Sequence, residues 1–151
     1  MGYNLGVKDN SKTEDWPRES AVEALIEKHL IDRDYIIVPK DRRKKKTRGP
    51  GVDIQAYKKT KSGNYSSSYF IECKGKTKNS YVASNEIFGQ ILKRMKDKTY
   101  APQVFVVAFP DIREFRVELE KIPIAVIRKL SREFNLKIWF VNRGGKIERY
   151  K

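Results

Sequence analysis

The segment Tyr69-Phe70-Ile71-Glu72-Cys73-Lys74-Gly75-Lys76 sets an acid and a base two positions apart at the end of an apolar run. Its aromatic and β-branched start predicts a strand over Tyr69 to Lys74. Strand side chains alternate, so Glu72 and Lys74 share a face while Cys73 points the other way, toward a core. Upstream, Val52-Asp53-Ile54-Gln55-Ala56-Tyr57 reads as another strand, and Lys61-Ser62-Gly63-Asn64 supplies turn residues between the two. If these strands pair, Asp53 reaches Glu72. Two converging carboxylates form a hard oxygen site that suits Mg²⁺ or Mn²⁺, with waters completing the shell. The Lys74 ammonium stands beside the same point. There it can orient or help deprotonate a water, or neutralise charge on a phosphoryl transition state. Phosphodiester hydrolysis needs these parts.

Outward from this core, the order of elements is legible. Residues 1–15 are polar and read as a tail, ahead of a single domain over 16–151. Pro17 suits the first turn of a helix from Pro17 to Leu30, with Asp15 or Trp16 just ahead of it. Val22, Leu25, Ile26, His29 and Leu30 recur there at helical spacing. Tyr35-Ile36-Ile37-Val38 is a short β-rich run. Gly63-Asn64-Tyr65-Ser66-Ser67-Ser68 reads as a long hairpin tip that could reach DNA or another subunit. A second helix is predicted from Ser84 to Lys98, with Ile87, Phe88, Ile91, Leu92 and Met95 on one face. Gln103 to Phe109 is apolar enough to be a central strand covered on both faces.

Beyond it, Asp111 and Glu114 form a capping-box pattern that opens more helix, which Pro123 divides. Leu136 to Val141 is the last major strand. Gly144-Gly145 can turn the chain into a short strand, Lys146 to Arg149. The predicted class is α/β, with an αβββαβ order, a mixed β-sheet flanked by helices, and a C-terminal αβ extension.

Composition narrows the function. Of 151 residues, 33 are Lys or Arg and 19 are Asp or Glu, a formal net charge of +14. Such an excess favours a polyanionic partner, nucleic acid before an acidic membrane surface. The lone Cys73 excludes an internal disulfide or a thiolate zinc cluster, and the lone His29 excludes multi-histidine metal sites. His29 late in its helix suits solvent or the helix end, and Trp16 and Trp139 read as packing anchors. No apolar run approaches a membrane span, and the first residues lack an apolar leader, which predicts a soluble, reducing, cytoplasmic setting.

Together, Gly51-Val52-Asp53-Ile54, Ile71-Glu72-Cys73-Lys74-Gly75-Lys76 and the element order resemble the PD-(D/E)XK nuclease superfamily, whose fold is restriction-endonuclease-like. The resemblance spans about Pro17 to Phe109. It implies that Asp53 and Glu72 bind Mg²⁺ or Mn²⁺ and that Lys74 is catalytic. The literal "PD" is missing, because Pro50 is not adjacent to Asp53. The family's first helix often adds a glutamate to the metal site. Glu19, on the core-facing stripe, fits that role, with Glu23 as the fallback toward the polar side. Gln90 resembles a helix glutamine of several nuclease branches. The resemblance thus implies a metal-dependent DNA endonuclease that leaves a 5′-phosphate on duplex or branched DNA. The small size is similar to archaeal Holliday-junction resolvases and to small restriction-like or homing-type enzymes, which usually act as homodimers because two strands need two sites.

Seven of the nine residues from Lys40 to Arg48 are Lys or Arg. Arg42, Arg43, Lys44, Lys45, Lys46 and Arg48 form either a solvated basic loop or a grip on the DNA backbone beside Asp53. Lys76, Lys78, Lys93, Arg94 and Lys96 would extend that surface. Two other classes stay open: a non-catalytic nucleic-acid-binding module, and a nuclease subunit that depends on a partner. The choice between DNA and RNA also stays open.

Overall fold

Val22, Ile26 and Leu30 recur every fourth residue and are buried, and this stripe makes a helix, α1, over Glu19–Ile31. The computed structural model describes residues 15–40, 52–95 and 103–151. The helix starts later than expected. Arg18 is its N-cap, and Arg18 N–H is used in a turn onto Asp15 O at 2.7 Å, so Pro17 lies before the helix rather than in its first turn.

Six strands follow in one sheet, in spatial order β1-β2-β3-β4-β5-β6. Strand β1 (Ile36–Ile37) pairs antiparallel with β2 (Ile54–Lys59), which pairs antiparallel with β3 (Tyr65–Cys73). The predicted hairpin tip is therefore shorter. Ser67 and Ser68 lie opposite Lys58 and Tyr57 within the ladder, and the turn occupies only 60–64, where Gly63 has φ +84°. Ladder hydrogen bonds to a long β2 outweigh the weak strand preference of serine.

The helix α2 (Ser80–Arg94) starts one turn before the expected Ser84, because Asn79 Oδ1 accepts the Val82 N–H at 3.2 Å and caps it. It carries the chain to β4 (Gln103–Pro110), parallel to β3. The expectation of a doubly covered central strand holds: Val104 through Pro110 are all buried. Two short helices, α3 (Arg113–Glu120) and α4 (Ile124–Phe134), lead to β5 (Leu136–Val141), parallel to β4. Strand β6 (Ile147–Arg149) folds back antiparallel through a turn that places Gly145 at φ +87°.

Pro123 divides α3 from α4 as expected and is the N-cap of α4. The capping box is absent. Ile112 is the N-cap of α3 without a side-chain bond, and Asp111 instead accepts Arg116 Nε–H at 2.8 Å.

The result is an α/β protein with a six-stranded mixed sheet between two helical layers. On one face α1 packs Val22, Ile26 and Leu30 on Ile54, Ile71, Val106 and Trp139. On the other, α2, α3 and α4 pack Ile87, Phe115 and Ile127 on Phe105, Phe109 and Phe140. Cys73 faces the α1 core, as alternation required. Trp139 is an internal anchor, with Tyr69 at 5.5 Å and His29 edge-on at 6.3 Å between ring centroids. No helix among the described residues is long and apolar enough to cross a membrane.

Candidate metal centre

The antiparallel register pairs Ile54 with Ile71, which puts Asp53 level with Glu72 at the end of the sheet. Asp53 sits one residue before β2 and its carboxylate accepts the Cys73 N–H at 2.7 Å. That bond holds the carboxylate across the end of β3. Glu72 is 4% exposed and shares a side-chain hydrogen bond with Asp53. From the opposite layer, α1 brings Glu19 and Glu23 to the same point. Carboxylate oxygens of Glu19, Glu23 and Asp53 lie within 4.8 Å of one another. Asp53 is therefore the hub between Glu72 on one side and the two α1 glutamates on the other.

Lys74 stands at the same end, its side chain 14% exposed and its Nζ 3.6 Å from Glu86 of α2. Its positive charge reaches Glu19, which it favours in the ionised form. On α2, Glu86, Gln90 and Arg94 follow at four-residue spacing and share a face. Gln90 is exposed between the two residues that reach the site.

Burial pushes Glu72 up to about 8, repulsion from Asp53 and the shared hydrogen bond add to the rise, and Arg94 only partly offsets it. Glu19 is raised by burial and then by Asp53, against the pull of Lys74. Glu23 is raised by burial and by Asp53, although Lys40 donates to it at 2.7 Å. An all-oxygen donor set, with carboxylate oxygens of Glu19, Glu23 and Asp53 within 4.8 Å of one another, fits a hard divalent cation such as Mg²⁺ or Mn²⁺.

Three positions differ from the sequence reading. Glu19 is not on the buried stripe: it is the first, exposed residue of α1 and meets Asp53 because the helix starts at the end of the sheet. Glu23 is not merely an alternative, since it belongs to the same group and is half-buried. Arg94 is not a surface cation that extends a basic patch. Its Nε–H donates to Glu72 at 3.4 Å and its side chain is 25% exposed. The sequence reading also missed Glu86. Its four-residue spacing from Gln90 is the available signal, hidden when the helix is expected to begin at Ser84, only two residues before it.

Of the expected DNA-contacting residues, Lys76 and Lys78 are exposed in the segment that follows β3. Arg42, Arg43, Lys44, Lys45, Lys46 and Arg48 lie outside the described residues, as do Lys96 and most of the N-terminal tail. Lys40, the first residue of the basic run, and Asp53, beyond its end, both stand at the acidic group.

The raised Glu72 carboxyl makes stability pH-dependent. Between about 4.5 and 8 the folded chain keeps a proton that the unfolded chain has lost. Stability of the metal-free protein therefore falls as pH rises through that window, by up to ~1.4 kcal/mol per pH unit. Urea denaturation at several pH values should show this slope in the wild type and a flatter one in Glu72→Gln. Equal slopes would contradict the assignment. No protein-family model, no curated protein and no solved structure matches this chain.

Proposed function

We propose that this protein is a metal-dependent DNA endonuclease of the PD-(D/E)XK type, with a restriction-endonuclease-like core. One observation carries the reading: carboxyl groups from the β2 start, the β3 end and α1 converge on Asp53 with Lys74 beside them. The αβββαβ order of the first 110 residues and the net charge of +14 support it.

Asp53, Glu72 and Glu19 would hold Mg²⁺ or Mn²⁺, with Glu23 alongside. Such an ion polarises a phosphodiester and lowers the pKa of a water. Lys74 directs its ammonium at the attacking water or at the charge that builds on the phosphoryl oxygens. Glu86 holds Lys74 in place from α2. Gln90, one turn further along the same face, is placed to position substrate or water. Attack on phosphorus breaks the bond to the 3′ oxygen, which takes up a proton, and leaves the 5′-phosphate. The basic run from Lys40 to Arg48, with Lys76 and Lys78, holds the backbone of duplex or branched DNA. Two strands need two sites, so the working form is a homodimer.

The test is cleavage of a panel with Mg²⁺, Mn²⁺ or EDTA. It includes supercoiled plasmid, linear duplex, single strand, a four-way junction and an RNA duplex, each with Glu72→Ala as control. Metal-dependent cutting that the variant lacks is the expected result. A junction preference selects the resolving role, and a fixed cut site in linear duplex selects the restriction-like one. Tight binding without cutting on any substrate would replace the nuclease with a binding module or a partner-dependent subunit.

Binding should also be strongly salt-sensitive. Replacing Lys44, Lys45 and Lys46 together with alanine should weaken it and make the log–log salt slope shallower by up to ~3, or about 0.9 per lost phosphate contact. Fluorescence anisotropy at several salt concentrations measures both. An unchanged slope would remove these lysines from the DNA interface.

A further inference from the structure

Gly75 is buried directly after Lys74, where the chain leaves β3 and passes the start of α1. A Cβ at this position would overlap the Glu19 backbone nitrogen and the Arg18 carbonyl carbon. Both obstacles are backbone, which cannot rotate aside as a side-chain end can. The next residue fixes the same crossing: Lys76 N–H donates to Pro17 O at 2.8 Å. The two contacts clamp the first residue of α1 against the segment that carries Lys74. Glu19 and Glu23, one turn apart on that helix, stand with Asp53 in one acidic group.

We propose that Gly75 is a positioning residue for the metal centre. By lacking a side chain it sets how closely the α1 carboxylates stand to Asp53 and Lys74. It touches neither metal nor substrate, and acts through Glu19 and Glu23. The proposal rests on the metal-centre reading given above.

The test is Mn²⁺ affinity of the full chain by calorimetry, with circular dichroism as the check on folding. Where the helix start shifts enough for Gly75→Ala to fold, the variant should lose roughly 10–100-fold in Mn²⁺ affinity, the range seen when support behind a metal ligand is lost. In a Glu19→Gln background the same change should cost much less, because its effect is already gone. A role in general stability alone would give independent losses that multiply. Mn²⁺ affinity within twofold of wild type in folded Gly75→Ala overturns the proposal, and so do multiplicative losses.

If Gly75→Ala does not fold, Lys76→Pro replaces it. That variant removes the N–H given to Pro17 without adding a Cβ at position 75, and Lys76→Ala serves as the control for lost charge. Weaker Mn²⁺ binding in the proline variant is the expected result, and equal binding in the two overturns the proposal. A wild-type chain that binds no Mn²⁺ would overturn the functional reading and this proposal with it. Wild-type binding with unaffected variants overturns the proposal alone.

Discussion

Asp53→Asn should abolish metal-dependent cleavage while leaving the fold intact. Among the described residues, Asp53 is the carboxylate that reaches both Glu72 and the α1 pair, so its loss divides the ligand set. Metal affinity should fall by more than the ~10–100-fold typical of losing a hydrogen-bond partner behind a ligand. Asparagine is chosen because its amide oxygen can still accept the Cys73 N–H, now at 2.7 Å from Asp53. Alanine would leave that buried donor unpaired, at a cost of ~1–3 kcal/mol. Removing the charge also relieves Glu72, whose raised carboxyl owes part of its shift to Asp53. At pH 8 without metal, the variant should therefore be at least as stable as wild type. DNA binding should be kept or strengthened, since a negative charge near the phosphate is gone. Plasmid nicking, Mn²⁺ calorimetry and thermal melting measure the three effects. Wild-type cleavage by this variant would remove Asp53 from the site.

Lys74→Met should produce the second large effect, of a different kind. The side chain is largely buried beside the acids, and methionine keeps much of its volume while removing the ammonium. Cleavage should fall by roughly 10²–10⁴-fold, the usual contribution of a group that assists proton transfer or transition-state charge. Mn²⁺ affinity should change little, because lysine donates no oxygen ligand. Single-turnover cleavage at saturating metal separates the two quantities. A variant that cuts normally, or one that fails to bind Mn²⁺, would contradict the role given to Lys74. The contrast with Asp53→Asn is the stronger evidence: one variant loses metal and chemistry together, the other loses chemistry alone.

Much of the architecture was legible in local pattern. Leu136 to Val141 has the limits that its sequence predicts, because five of its six residues are apolar and only Lys137 is polar. Gln103 to Phe109 declares itself a central strand by being apolar at every position but the first, and the observed strand runs one residue further, to Pro110. The alternation that separates Glu72 from Cys73 is a property of the extended backbone, and it holds here: one meets Asp53 and Arg94, the other the α1 core.

Reading by local pattern failed at element ends. The Ser66-Ser67-Ser68 run joins the sheet because β2 offers it ladder bonds, which no window around the serines contains. Asn79 caps α2 a turn before its apolar face begins. Asp111 found a better partner in Arg116, itself shared with Glu148 of β6.

Sequence alone determined the α/β class, the order of elements and the basic charge, and it set Asp53 to meet Glu72 on the condition that their strands pair, which the register fulfils. Each of these depends on composition, backbone periodicity or a short-range motif. Only the tertiary structure decided which carboxylates gather at Asp53. Helical spacing gives the angle between Glu19, Glu23 and the buried stripe, but not which strand end the helix start meets. That docking is set by the α1 core contacts and by the close backbone crossing at Gly75. It turns an exposed first-turn acid and a polar-side acid into members of one group. It also puts Arg94 on Glu72, because α2 crosses the opposite face of the sheet with its last turn over β3.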